Sequence, residues 1–273
     1  MANPRSVVIN GDLGSGKSTV SKLLAARLGI RRISVGELYR TIAAQRGMTA
    51  LQLNLHAELD EEVDHHVDQL QSDIAASGEQ LVVDSRLAWH FFTDALKVHL
   101  VTDPAVAAQR VFRRPADTAE SYSSVEEARS HLASRSESER IRFLSKYGAD
   151  KTRLRNYDLV CDSTRAGPAA IVKRIVECLD APQRAAQRPL MYLDPMRIHP
   201  TAEPPTSEDV DAEGPIAVGY TAPNFFAIDG HPQLSVARRT GQTLVETLLV
   251  AEAEEQIAGL SCERYFTANA IEW

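Results

Sequence analysis

Gly11-Asp12-Leu13-Gly14-Ser15-Gly16-Lys17-Ser18 fits the pattern G-x-x-x-x-G-K-[ST] at every required position. It follows the apolar run Ser6-Val-Val-Ile-Asn10, which suits a buried parallel strand. It precedes Lys17–Leu28, where Val20, Leu23, Leu24 and Leu28 recur at helical spacing until Gly29 stops them. Strand, glycine-rich turn and helix in that order are the context a phosphate-cradling loop needs. Glycines let backbone N–H groups turn inward around phosphates, and the helix adds its positive N-terminal end. Lys17 is then placed to reach β- and γ-phosphates, and the Ser18 hydroxyl to bind Mg²⁺. Gly11, Gly14, Ser15, Gly16, Lys17, Ser18 and Thr19 form the expected binding set for ATP.

Working outward, strand and helix patterns alternate as far as residue 180. A second strand is expected over Arg32–Ser34, with a helix running to Arg46. Thr49 and Gln52 read as a capping box for the next helix. Leu81–Asp84, Val98–Val101 and Leu159–Asp162 read as further buried strands. Ser124 and Glu127 repeat the capping-box spacing before a long polar helix that ends at Tyr147-Gly148, and Pro168 opens a closing helix. This alternation predicts an α/β fold: a doubly wound parallel sheet of the P-loop NTPase type, covered on both faces.

Within the long helix, Arg135, Glu139 and Arg142 are spaced by four and three residues and so share one face. Phosphoryl transfer needs cations around the moving group, and arginine offers forked donors for its oxygens. These residues, with Lys17, are the expected catalytic set.

Composition removes several function classes. The 273 residues carry a net charge of -7, the wrong sign for coating DNA or a membrane surface. Aromatics make up 6%, too few for a stacking platform on single-stranded nucleic acid. No apolar run approaches a membrane span, and the first strand begins too early for a signal peptide, so a cytoplasmic setting is expected. Cys161, Cys178 and Cys262 lack metal-ligand spacing and read as free thiols. His65, His66 and His90 read as surface histidines rather than as acid–base or metal groups.

Three further segments give the loop a family context: Ser34-Val-Gly-Glu-Leu-Tyr-Arg40, Asp84-Ser-Arg86-Leu-Ala, and Arg135-Ser-Glu-Ser-Glu-Arg-Ile-Arg142 followed by Tyr147-Gly148. Over about residues 5–180 the chain resembles cytidylate kinase, in its short archaeal-type branch. The resemblance implies a nucleoside monophosphate kinase that makes CDP or dCDP from CMP or dCMP with ATP and Mg²⁺. It implies that Ser34, Arg40, Asp84 and Arg86 bind the acceptor, with Arg40 and Arg86 clamping its phosphate and Asp84 supporting the Mg²⁺ beside Ser18. It implies that Arg135 and Arg142 meet phosphates while Glu139 orients an arginine, and that Arg110 and Arg114 lie near the donor. The chain departs from the family in having Ser85 where glycine is usual, Leu87 where the bacterial branch is acidic, and the bulky Trp89-His90-Phe91-Phe92 beyond. A modified pyrimidine nucleotide, a nucleoside or a metabolite such as serine therefore stays open as acceptor.

The pattern changes after residue 180. Residues 181–189 have linker composition, and Pro195, Pro200, Pro204, Pro205 and Pro215 follow. Regular structure is expected to resume near Phe225–Ile228, with a turn at Asp229-Gly230, a helix over Gln233–Thr240 and a strand over Leu244–Val250. The expected domains are thus 1–180, a linker at 181–189, and a smaller α+β unit at 190–273. The segments Pro189–Pro200, Gly214–Val218, Phe226–His231 and Ala237–Gly241 resemble a ParB/sulfiredoxin-type domain, without the usual arginine in the turn, where Gln233 stands. The resemblance implies binding, regulation or homodimerisation through this end. It also keeps open a nucleotide-sensing regulator in which the P-loop is a switch.

Overall fold

The computed structural model describes residues 5–48, 61–114, 122–181, 189–203 and 214–273. The core strands are β1 (Val7–Gly11), β2 (Arg31–Ser34), β3 (Leu81–Asp84), β4 (Leu96–Val101) and β5 (Leu159–Asp162), paired in parallel in the order β2-β3-β1-β4-β5. Their near-continuous apolar runs suit strands covered on both faces. Chain direction reverses around β1: the first crossover leads to β2 on one side, and β4 lies on the other. That switch point, at the carboxyl ends of the strands, is where open α/β sheets bind ligands.

The crossover helices are α1 (Lys17–Leu28), α2 (Val35–Gln45), α3 (Glu61–Ala76), the short α4 (Ala88–Phe91), α5 (Pro104–Phe112), α6 (Val125–Tyr147) and α7 (Pro168–Asp180). Gly29 ends α1 in the left-handed conformation, φ 67°, as its sequence position predicts. Ser124 caps α6, accepting from the Glu127 N–H at 3.1 Å. The Glu127 carboxylate binds the N–H and hydroxyl of Ser123 instead, so the expected reciprocal box is displaced by one residue. The Thr49–Gln52 signal lies outside the described residues.

Beyond α7 the sheet continues. Strand β6 (Leu190–Leu193) pairs in parallel with β5, Leu190 opposite Leu159. A short turn at Pro195–Arg197 leads to β7 (Ile198–His199), then β8 (Ile216–Thr221), β9 (Asn224–Asp229), α8 (His231–Arg239) and β10 (Val245–Glu252). A hairpin of β11 (Gln256–Ile257) and β12 (Leu260–Ser261) precedes α9 (Cys262–Asn269). Among the described residues the main sheet has ten strands, running β5-β6-β10-β8-β9-β7 on this side. Strands β6 to β8 were not anticipated from the proline content. The prolines stand at their ends: Pro195 opens the turn after β6, Pro200 follows β7 and Pro215 precedes β8. There a missing N–H costs no ladder bond.

One buried apolar cluster spans the join, uniting Leu154, Tyr157 and Val160 with Met191, Leu193, Ile198, Val218 and Phe225. Each such fully buried side chain stabilises by about 1.5–3 kcal/mol. Residues 190–273 are therefore energetically tied to the sheet that carries the glycine-rich loop.

Candidate active site

β1 delivers the chain into the loop at Gly11, where a Cβ would lie 2.4 Å from the Leu100 carbonyl oxygen on β4. Only glycine lets the loop leave the sheet this close to its neighbour. Gly16, at φ 83°, then opens α1 without a side-chain cap, leaving the helix's first N–H groups to face the loop. The Ser15 hydroxyl, which is buried, donates to the Asp12 carbonyl at 2.7 Å. Lys17 Nζ folds over the loop and donates to the carbonyls of Gly11 and Asp12, each at 2.8 Å. Desolvation there draws its pKa down to about 8, against the pull of Asp84 and with the help of Arg86. Thr19 starts the exposed side of α1, its N–H bonded to the Gly16 carbonyl.

Ser18 and Asp84 meet as expected: the hydroxyl donates to Asp84 Oδ2 at 2.9 Å. Sequence reasoning missed the third member, Arg32. Its Nη2 donates to the same oxygen at 3.0 Å, its Nε to the Ser21 hydroxyl at 2.7 Å, and its Nη1 to both oxygens of Glu37. Arg32 thus links the carboxylate at the end of β3 to the first turn of α2. Ser34 is buried beside it and accepts from the Glu37 N–H at 3.3 Å, a role at the start of α2. A hydroxyl and a carboxylate converging at the loop are hard oxygen donors, so Ser18 and Asp84 fit the preferences of Mg²⁺.

A second cluster gathers on Glu139. Buried on α6, it pairs with Arg86, with Arg135 Nε at 3.2 Å and with Lys151 Nζ at 3.1 Å. Burial alone would push its carboxyl up, but the charges of Arg86, Lys151 and Arg135 outweigh that and hold it at about 2. Arg86 also acts on Lys17, so this cluster and the loop lysine share one electrostatic field. Lys151 was not anticipated. The signal was the left-handed Gly148, φ 64°, which ends α6 and turns the chain back on the helix.

The other expected residues fall as follows. Arg142, on α6, lies over the Phe143 ring, 5.5 Å from its centroid. Arg110 donates to the carbonyls of Ser163 and Thr164, at 2.6 and 3.2 Å, so it serves the loop after β5. Arg114 is exposed just past α5. Arg40 lies on α2, and its side chain is outside the described set.

The departures Ser85, Leu87 and Trp89 have structural reasons. The Ser85 hydroxyl donates to buried Gln71 at 3.0 Å and accepts from the N–H groups of Leu87 and Ala88, opening α4. Leu87 and Trp89 are buried in the apolar core. Both pack there, with the buried Trp89 Nε1 left without a hydrogen-bond partner among the described residues. His65 and His90 are exposed, as expected.

Under the loop sits a polar network that the sequence did not reveal. Asn10, the last residue before Gly11, donates to His99 Nδ1 at 3.1 Å and to the Tyr157 hydroxyl, which donates to the Lys151 carbonyl at 2.8 Å. Burial, with the charges of Lys17 and Lys151, holds His99 at about 3 and hence neutral. Backbone of the Lys151 segment and base of the phosphate loop are thereby fixed to one another.

Residues 7–138 match the family model described as an AAA domain. The chain is 32% identical over 173 residues to a cytidylate kinase of Methanobrevibacter smithii, covering 63% of this chain and 97% of that one. To a cytidylate kinase of Ignicoccus hospitalis it is 37% identical over 175 residues, covering 63% and 98%. Among solved structures, an uncharacterized protein from Eubacterium ventriosum shares the fold at TM-score 0.51 and 16% identity, over 65% of this chain and 99% of that one.

Proposed function

The chain belongs to the cytidylate kinase family, and from that premise we propose that it transfers the γ-phosphoryl group of ATP to CMP or dCMP. The observation that carries this reading is Glu139, which sets Arg86, Arg135 and Lys151 beside Lys17. Three cations on one carboxylate, with Lys17 beside them, suit a site for two phosphorylated ligands better than a site for an uncharged acceptor.

An oxygen of the acceptor's phosphate attacks the γ-phosphorus in line, and the bond from that phosphorus to the β–γ bridging oxygen breaks. The products are ADP and CDP. A phosphate oxygen is already an anion near neutral pH, so no general base is needed, consistent with the absence of any expected role for a histidine. Lys17 would neutralise charge on the β- and γ-oxygens, and Arg86 and Arg135 would hold the acceptor and transferring phosphates in line. Ser18 and Asp84 would hold Mg²⁺, which when bound neutralises β- and γ-oxygen charge. Arg40 is proposed as a second clamp on the acceptor phosphate, with Ser34 holding α2 in place, Arg142 as a lid-side cation, and Arg110 and Arg114 on the donor side. Ser85, Leu87 and Trp89 have packing roles whichever acceptor is used, so the acceptor screen below includes a nucleoside and serine.

We read residues 1–180 as the kinase unit and 190–273 as a ParB-like unit that shares its sheet and serves binding or homodimerisation, in a cytoplasmic protein. The Asp229-Gly230 turn supports that likeness: Gly230, at φ 84°, opens α8. No helix among the described residues is long and apolar enough to cross a membrane.

The test is an acceptor screen with ATP and Mg²⁺ across CMP, dCMP, UMP, AMP, cytidine and serine. CMP and dCMP should be the best substrates. Nucleotide hydrolysis without phosphorylation of any monophosphate would instead identify a sensor.

A further inference from the structure

Residues 190–273 grip both ends of β5. At its amino end the buried Glu252 of β10 accepts from the N–H groups of Leu154 and Arg155, at 2.7 and 3.3 Å. At its carboxyl end two ion pairs cross the join. Arg197 Nη1 donates to Asp162 Oδ2 at 2.9 Å, with Asp162 fully buried. Arg165 binds both oxygens of the fully buried Asp194, at 2.7 and 2.6 Å, and donates to the Gln242 carbonyl at 2.6 Å. Asp162 and Arg165 flank Ser163 and Thr164, whose carbonyls receive Arg110.

The sheet order gives this loop a function. The acceptor elements, Ser34, Asp84 and Arg86, stand on or just beyond β2 and β3, on one side of the phosphate loop. The donor's nucleoside must then extend the other way, over the ends of β4 and β5. There the loop after β5 is bound by Arg110 from one side and by residues 190–273 from the other. Arg197 is also within electrostatic reach of Asp12 in the phosphate loop.

We propose that residues 190–273 brace the donor-nucleoside loop, Asp162–Gly167, with Arg197 and Asp194 as positioning residues for ATP. The proposal rests on the assignment of ATP-dependent transfer made above. The Arg197 and Arg165 ion pairs stand on the donor side, away from Arg86 and Lys151, so their loss weakens ATP and spares CMP.

The experiment uses the full-length protein with three changes: Arg165→Ala, at the partly exposed arginine that pairs with buried Asp194; Arg197→Met; and the double variant Asp162→Asn/Arg197→Met. The double variant leaves no lone buried charge, and Asn can still accept from the Thr164 N–H. Equilibrium binding of a fluorescent, non-hydrolysable ATP analogue is measured without acceptor, and the KM for CMP at saturating ATP. Each folded variant should bind the analogue about tenfold more weakly while the KM for CMP moves by less than about twofold. Arg197→Lys should recover part of the loss. Unchanged analogue affinity, or equal losses for analogue and CMP, would overturn the brace. Should Arg197→Met fail to fold, the double variant and Arg165→Ala decide. Weakened analogue binding in a protein that phosphorylates no monophosphate would leave the brace standing and remove the cytidylate kinase reading.

Discussion

Lys151 Nζ lies 3.1 Å from Glu139 Oε2, placing a third cation on the carboxylate that already holds Arg86 and Arg135. Among the described residues, one buried acid thus gathers three cations, of which Arg86 also acts on the loop lysine. The arrangement is preassembled, so little reorganisation is needed when phosphates arrive.

Glu139→Gln should lower kcat/KM for CMP by about 10²- to 10³-fold, because three cations lose their common anchor. It should also change the acid response. The Glu139 pKa sits at about 2, below the ordinary value of 4.5, so its contribution is complete above pH 4.5 and lost as pH falls towards 2. Urea unfolding at pH 6 and pH 3 checks this: the stability gap between wild type and Glu139→Gln should narrow at pH 3. A gap independent of pH would show that the cations do not depend on this carboxylate.

Lys17→Ala should depress turnover by orders of magnitude with the fold intact. The lysine's pKa of about 8 adds a pH signature. Above pH 8 the free enzyme loses this positive charge, and binding an ATP analogue must then recruit a proton. Analogue affinity in the wild type should fall from pH 8 to 9.5, whereas in Lys17→Arg, which stays charged, it should remain flat. Fluorescence titration across that range reads the difference.

Arg32→Met should destabilise the protein by about 3–5 kcal/mol, because it leaves the buried Asp84 carboxylate without its cation. Thermal denaturation measures this, and the double change Arg32→Met/Asp84→Asn should recover much of the loss. A single variant as stable as wild type would mean that the hydroxyls of Ser18 and Ser21, which donate to Asp84 Oδ2 at 2.9 and 3.4 Å, suffice for it.

Much of this molecule was legible in its residues, and the exceptions share a cause. The phosphate loop declared itself because its chemistry is local: eight consecutive residues carry both the backbone geometry and the charges. Glu139 with Arg135 could be read because helical periodicity fixes a shared face over four residues. Arg32 and Lys151 could not, since their partners Asp84 and Glu139 are 52 and 12 residues away and meet them only after folding. The same holds for the joined sheet. Leu190 gives no local sign that it will pair with Leu159, and the surrounding prolines suggest irregular chain. Ser85 and Trp89 departed from a family pattern, and what their spacing did not reveal is that their contacts are a helix start and the core.

Arg86→Ala should separate acceptor from donor. The KM for CMP should rise at least about tenfold, with the KM for ATP little changed, if Arg86 grips the acceptor phosphate. Initial-rate kinetics with each substrate varied in turn provide the comparison. Equal effects on both substrates would place Arg86 on the transferring group instead.

Phosphoryl transfer to CMP can be followed in one sample of wild-type protein, ATP, Mg²⁺ and CMP by ³¹P NMR. The CMP resonance should be replaced by the two resonances of CDP, in step with conversion of ATP to ADP, and Lys17→Ala should abolish both changes. ADP accumulating with inorganic phosphate while CMP persists would contradict this transfer.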